Sequence, residues 1–327
     1  MPGRDERRQN MIATLTPNPC VDKTLCVDHL DFYKMNRAEL LRTDISGKGI
    51  NVSLALSALN VPNVCTGFSF TSDAPAMRKL MSENGVECDF VELPGQLRTC
   101  TKIFDRSLKH TVEINEFGPR VEIEDGEKLI EKLVTNAKKC SCITLSGSLP
   151  PGLSDDFYLR CASAVKKSAP ACRIIVDAEK KLLLKALEAS PYLIKPNIHE
   201  FQETFGIAVR SVAELDRAAK EILKRCMLGI LCVSLGKEGA YITNGDESYF
   251  CPGLDVEVRS VQGAGDSMVA GMCLALEQGK SLPEILRCGV AAASDSVSRE
   301  GTLLCTFSGF QKMLRQTMFP EKISKVI

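Results

Sequence analysis

Residues 260 to 271, Ser-Val-Gln-Gly-Ala-Gly-Asp-Ser-Met-Val-Ala-Gly, could do chemistry by their types and spacing. The alternation of Asp255-Val-Glu-Val-Arg259 predicts a strand leading in. Met268, Val269, Met272, Leu274 and Leu276 predict a helix leading out. Gly263 and Gly265 would let a ligand approach the main chain closely. The first N–H groups of the helix, including those near Ala264, would have no internal partners and would sit at the positive end of its dipole. Such a turn suits a phosphate or a developing oxyanion. Asp266 beside it could take a proton from a hydroxyl while the amides hold the phosphoryl group that the hydroxyl attacks. Asp is also a favoured helix cap. The residue types alone leave both readings open.

Four further motifs bear on the choice. Ser46-Gly-Lys-Gly-Ile-Asn51 precedes a helical pattern, with Gly47 giving a turn and Lys48 and Asn51 as donors to an anionic or polyhydroxy ligand. It lacks the spacer and the hydroxyl of a P-loop. A tight turn capped by Asn51 is the plain structural alternative. Lys195-Pro-Asn-Ile-His-Glu200 offers Asn197 and Glu200 to hold waters around Mg²⁺. The same pair also reads as a capping box, and the two are compatible. Ser234-Leu-Gly-Lys-Glu-Gly239 could lay its backbone, through Gly236 and Gly239, against a nucleotide, or could be a turn between strands. Gly147-Ser-Leu-Pro-Pro-Gly152 is a rigid loop that includes Ser148. Independent turns and caps explain each motif singly but not their common location at strand C-terminal ends, where open α/β sheets bind ligands.

The elements that must position these motifs follow from hydrophobic periodicity. Residues 12–16, 64–70, 142–145, 173–177, 192–195 and 230–235 read as strands. Residues 46–59, 76–84, 155–167, 181–189 and 213–225, and the stretch around Leu129 to Ala137, read as helices. Uniformly apolar strands between helices predict a mostly parallel sheet covered on both faces. The alternating segments 24–27 and 38–43, and the hairpin 99–105 with 111–116, fit poorly there. They predict a small accessory sheet inserted twice.

Composition narrows the classes. Hydrophobic residues at 44% and charged ones at 25% support a full core. Lys plus Arg equals Asp plus Glu at 41 each, which argues against nucleic acid or an anionic membrane as partner. No apolar run reaches the ~20 residues of a membrane helix. Residues 1–10 are charged, lack the apolar core of a signal peptide and read as a disordered leader. The fifteen cysteines are scattered through apolar segments, with Cys140 and Cys142 placed as C-x-C on a strand. They read as reduced thiols in a cytoplasmic protein without structural zinc.

Taken in order, Thr14-Leu-Thr-Pro-Asn-Pro-Cys-Val-Asp22 and the motifs at 47–51, 147–152, 195–200, 234–239 and 263–271 resemble those of PfkB-type, ribokinase-like sugar kinases. The branch most resembled holds 1-phosphofructokinase and tagatose-6-phosphate kinase. The resemblance implies a ribokinase-like α/β domain over 11–327, with a β lid from about 22–45 and 97–117, ATP as donor and Mg²⁺ as cofactor. It further implies Asp266 as catalytic base and the N–H groups of Gly263, Ala264 and Gly265 as anion hole. Asp22, Gly47, Lys48 and Asn51 resemble the residues that grip the sugar, Arg98 one near its phosphate, and Ser148 a further substrate-side residue. Asn197 and Glu200 resemble the Mg²⁺–triphosphate pair, Ser234, Gly236 and Gly239 the nucleotide loop, and Ala293 and Ser294 residues nearer the adenine.

The chain departs from the family pattern at Ser46, usually glycine, at Phe68-Ser-Phe-Thr-Ser-Asp73, usually a glycine pair, and at Gln262, usually apolar. The expected activity is ATP-dependent phosphorylation of a phosphorylated ketohexose, fructose 1-phosphate first, with tagatose 6-phosphate and fructose 6-phosphate as alternatives. A catalytically weak regulator that binds sugar phosphate is a reading of a different class, motivated by the altered positions. An NAD dehydrogenase is excluded, because the glycine after Gly265 comes only at 271. An exposed lid sheet could also pair with a second copy of the chain.

Overall fold

The computed structural model describes residues 11–299 and 303–323; the expected leader at 1–10 lies outside them. β1 (Ile12–Thr16) is followed by β2 (Cys20–Val27), β3 (Glu39–Ser46), α1 (Lys48–Ala58), β4 (Asn63–Phe70), α2 (Ala74–Glu83) and β5 (Glu87–Leu93). β6 (Arg98–Asp105) and β7 (His110–Asn115) lead to α3 (Ile123–Ala137), β8 (Cys142–Ser146), α4 (Phe157–Ser168), β9 (Arg173–Asp177) and α5 (Lys180–Leu187). Then come β10 (Leu193–Ile194), α6 (Ile198–Phe205), α7 (Val212–Cys226), β11 (Ile230–Ser234), β12 (Gly239–Thr243) and β13 (Ser248–Pro252). The chain continues with α8 (Ala264–Glu277), α9 (Leu282–Val297), α10 (Phe307–Gln316) and β14 (Glu321–Lys322).

A ten-stranded sheet runs in the order β14-β13-β12-β11-β10-β9-β8-β1-β4-β5. It is parallel from β11 to β5 and antiparallel from β11 to β14. Neighbouring strand residues point to opposite faces, so each strand feeds two cores. Ala13, Ile143 and Ile174 pack with Leu133, Ala162 and Ile222 on one face. Ile12, Cys142 and Ile175 pack with Leu56, Met272 and Leu286 on the other. This is the mostly parallel α/β sheet, covered on both faces, that the apolar strands predict. No helix among the described residues is long and apolar enough to cross a membrane.

The second sheet has four strands in the order β3-β2-β6-β7. Its two halves enter the chain at separate points and are joined by a parallel ladder that pairs Cys20 with Arg98 and Asp22 with Cys100.

Two local expectations need correction, and one edge strand had no expectation. Residues 255–259 are not a strand, since the sheet edge beside β13 is taken by β14. The segment's backbone instead bonds the end of α9, through the Arg259 and Ser260 N–H groups to Val297 O. β5 was not anticipated, because its alternation of exposed acids with Phe90, Val91 and Leu93 is that of an edge strand. Cys140 precedes β8 rather than sharing it with Cys142. All fifteen cysteines are free, and all but Cys88 and Cys226 are buried.

Candidate active site

Strand order reverses at β1, which lies between β8 and β4, and such a switch point opens a crevice at the strands' carboxyl ends. Whereas Asp22 and Arg98 belong to the small sheet and Ala293 and Ser294 to α9, the starts of α1 and α8 and the segments after β8, β9, β10 and β11 lie along the carboxyl ends of the strands. α8 starts there from Gly263, whose φ of 76° is a left-handed value that glycine adopts without strain. Gly263 is the N-cap and makes no side-chain cap bond, so Asp266, in the first turn, is not the capping residue. Its carboxylate Oδ2 instead accepts a 2.8 Å hydrogen bond from Asn51 Nδ2. Asn51 is likewise no cap. α1 starts at Lys48 after Gly47, and the Asn51 side chain faces α8.

Asp266 is 7% exposed. Burial, with the nearby Asp177 carboxylate adding to it, pushes its pKa up from 3.8 to about 6, while Lys48, the Asn51 amide and Lys195 pull the other way. A carboxyl poised near 6 is ionised at neutral pH yet basic enough to hold a proton briefly, as a general base requires. The first-turn amides of α8 have no intrahelical acceptors and lie beside it.

Two lysines and a second acid complete the charged floor. Asp177, at the end of β9, lies 3.5 Å from Lys195 Nζ and 3.6 Å from Lys48 Nζ. Burial alone would raise Asp177, but the two ammonium groups hold it below the usual carboxylate range. Burial alone would lower Lys48, but Asp177, Glu200, Asp266 and Glu179 together keep it above its ordinary value. Lys48 retains 32% side-chain exposure and so stays accessible from solvent, whereas Lys195 is buried at 4%. A Cβ built on Gly265 would stand 3.6 Å from Lys195 Nζ, which puts that ammonium against the glycine turn.

In the small sheet, Asp22 is buried and its Oδ2 accepts from Lys102 Nζ at 3.1 Å. Paired strand residues share a face, so Asp22, Cys100, Lys102 and Glu113 line one side of the small sheet. That side is turned toward the turn before α8, because Gln262 Nε2 donates to Glu113 Oε1 at 3.2 Å. Cys20, Asp22 and Cys100 offer atoms within 4.8 Å of one another, with the Lys102 ammonium already partnering the carboxylate. Arg98 donates to Glu116 O and Asn18 O, at 2.9 and 3.1 Å, while its Nε is buried without a partner. Asn18 Nδ2 reaches Phe117 O, Ser148 Oγ and Leu149 O. Asn18 therefore ties the turn after β1 to the segment after β7 and to the loop after β8. In the altered segment at 68–73, Phe68 and Phe70 are core residues and Asp73 Oδ2 accepts from the Leu97 N–H at 2.7 Å, beside Arg98.

At the start of α6 the expected capping box is present. Asn197 Oδ1 accepts from Glu200 N–H at 2.9 Å, and Glu200 Oε2 from Asn197 N–H at 2.8 Å. The second carboxylate oxygen of Glu200 remains for a hydrated divalent cation, and a hard oxygen donor of this kind fits Mg²⁺. Asn197 and Ser234 form a parallel bridge, which sets the α6 start beside the end of β11. Gly236–Glu238 is a single 3-10 turn joining antiparallel β11 and β12, with Gly239 opening β12. Ala293 and Ser294 lie in α9, which packs on β12 and β13; Ser294 is buried and Ala293 partly so.

Asp177, Lys195, Lys102 and Asn18 escaped the residue reading. The available signal was a charge ending an apolar run, as in Arg-Ile-Ile-Val-Asp177 and Leu-Ile-Lys195.

Comparison with known proteins agrees with this geometry. Residues 16–307 match the pfkB family carbohydrate kinase. The chain is 32% identical over 309 residues to a 1-phosphofructokinase of Borreliella burgdorferi, spanning 94% of this chain and 97% of that protein. It is 31% identical over 290 residues to one of Bacillus subtilis, spanning 89% and 93%. The structure of Escherichia coli phosphofructokinase-2 in complex with potassium superimposes with a TM-score of 0.87 at 26% identity, covering 93% of this chain and 98% of that one. Sugar kinases of this kind use ATP, usually with a divalent metal. With its motifs at one sheet edge, a buried acid on a glycine turn and relatives along nearly its whole length, the chain belongs to the pfkB family of carbohydrate kinases.

Proposed function

We propose that the protein transfers the γ-phosphate of ATP to a hydroxyl of a phosphorylated ketohexose, fructose 1-phosphate, with Asp266 as general base. The observation that carries this reading is the Asp266 carboxyl, buried at the α8 N-terminus and raised to about pKa 6. The sugar hydroxyl gives its proton to Asp266 and attacks the γ-phosphorus in line, and the bond to the β-phosphate oxygen breaks to release ADP. The N–H groups of Gly263, Ala264 and Gly265, with Lys195 beside them, hold the charge on the moving phosphoryl group. Lys48 and Asn51 orient the hydroxyl-bearing end of the sugar, with Gly47 giving room. Asp22, Arg98 and Ser148 meet the rest of the phosphosugar. Ser234, Gly236, Gly239, Ala293 and Ser294 bound the nucleotide. Asn197 and Glu200 hold Mg²⁺ through water, and the ion neutralises triphosphate charge when bound.

The small sheet acts as the lid, formed by about 22–45 and 97–117. Exposed Leu40, Leu41 and Ile114 on its strands support pairing with a second copy. The protein works in the cytoplasm.

The name of the curated relatives, 1-phosphofructokinase, favours fructose 1-phosphate. A solved E. coli phosphofructokinase-2 in complex with fructose-6-phosphate supports the fructose 6-phosphate alternative. Coupled ADP-release assays across fructose 1-phosphate, fructose 6-phosphate and tagatose 6-phosphate decide among them. The highest kcat/KM is expected for fructose 1-phosphate. ADP release with none of the three would favour the regulator instead.

A further inference from the structure

Ser46 ends β3 and Asn51 lies in the first turn of α1, and their side chains meet across the Gly47 bend. Ser46 Oγ donates to Asn51 Oδ1 at 3.3 Å, and Asn51 Nδ2 donates to Asp266 Oδ2 at 2.8 Å. A primary amide has an acceptor on one side and donors on the other, and half a turn about its last bond exchanges them. While Asp266 is ionised, only the donor side can face it. Once Asp266 carries a proton, the amide oxygen could accept that proton, and the two orientations become competitive. The Ser46 hydroxyl breaks this symmetry. A flipped amide would turn its NH2 toward Ser46 Oγ, which can accept from it, but the hydroxyl proton of this 5% exposed residue would lose the Asn51 acceptor and have to be redirected at a cost.

We infer that Ser46 is a positioning residue for the general base: it holds the Asn51 amide with its donor side on Asp266, which keeps that carboxyl ionised until the sugar hydroxyl arrives. This rests on Asp266 being the base of the proposed reaction. In this role Ser46 acts through Asn51, the partner of its hydroxyl, and not on Asp266 directly.

The surroundings of Asp266 set what its loss would do. Lys48 from α1, Lys195 after β10 and the Asn51 donor favour the ionised form; burial and Asp177 from β9 oppose it. Freeing the amide weakens one of the three favourable contacts. It leaves every formal charge in place.

The test is the pH dependence of kcat/KM for the phosphosugar in wild type, Ser46→Ala and Ser46→Thr. In Ser46→Ala the acid limb should move up by about half to one pH unit. The rate should then fall ~3–10-fold at pH 5.5 and less than ~2-fold at pH 8.5. Ser46→Thr, which keeps the hydroxyl, should restore the wild-type limb. In an Asn51→Ala background, Ser46→Ala should move the limb no further, because the partner through which it acts is gone. A loss equal at all pH values, or a shift of full size in the Asn51→Ala background, overturns the inference. Titration of the Asp266 carboxyl by ¹³C NMR gives the same comparison without turnover. An Asp266 carboxyl that titrates alike in wild type and Ser46→Ala therefore refutes the role of Ser46, even if no sugar in the panel is phosphorylated.

Discussion

Asn51 and Asp266, 215 positions apart in the chain, share a 2.8 Å hydrogen bond that joins the first turns of α1 and α8. Two helix starts from different parts of the chain thereby face one reaction point. In the proposed reaction, α1 would hold the base from the sugar side and α8 would supply the anion hole on the phosphate side. Replacing Asp266 by Asn removes proton acceptance and keeps the shape. Turnover should fall ~10²–10⁴-fold, while ATP and phosphosugar dissociation constants, read by calorimetry, stay within a few-fold. A kcat near wild type would remove Asp266 from its role.

The raised pKa also has a stability consequence, with a definite sign. Folding moves this carboxyl from 3.8 to about 6, so the folded state holds the proton more tightly. Stability tied to Asp266 is highest below pH 3.8, declines as pH rises from there to about 6, and stays low above. Asp266→Asn, neutral throughout, should thus be more stable than wild type by ~1–3 kcal/mol at pH 8. The gain should vanish near pH 4. Urea melts at both pH values check this; a variant less stable at pH 8 contradicts it.

Glu200 combines a structural and a proposed metal-holding task, and a single substitution separates them. Glutamine also serves at the third position of a capping box. Glu200→Gln should therefore keep the melting temperature within a few degrees but raise the Mg²⁺ concentration for half-maximal velocity ~10-fold or more. Mg²⁺ titration of the rate at fixed ATP is the measurement. An unchanged Mg²⁺ requirement would leave Glu200 with capping alone.

Asp22 and Lys102 form an ion pair with both side chains under a tenth exposed, 8% and 9%. Breaking a pair of this kind strands a buried charge. Lys102→Met should destabilise by about 3–5 kcal/mol, and adding Asp22→Asn should recover much of that loss. Equal destabilisation in the single and double variants would show that the carboxylate had another partner.

The glycine-led helix starts were legible because their signal is local: an anion-binding turn needs glycine, donors and an apolar helix within a dozen residues. The apolar strands between helices likewise specified a covered parallel sheet. Asp177 and Lys195 were not legible as functional, since each is a lone charge whose partner lies on another strand. β12 to β14, which turn antiparallel, are not among the strands that periodicity predicts. Asp255 to Arg259 alternates like a strand yet finds no open edge, a matter decided by β14, more than sixty residues on. Ser46 departs from the family pattern, and its link to Asn51 depends on the Gly47 bend that brings the two side chains together.

The ladder between β2 and β6 has a consequence for how the molecule is made. Cys20 pairs with Arg98, so β2 leaves the ribosome long before its parallel neighbour exists. Contacts so distant in sequence form slowly, because loop closure must precede any reward. Until β6 has been made, β3 is the only strand of the small sheet available to pair with β2. All four strands of the small sheet have nevertheless been made by Asn115, before Asp177, Lys195 and α8 emerge, so the small sheet is available before the charged floor is complete.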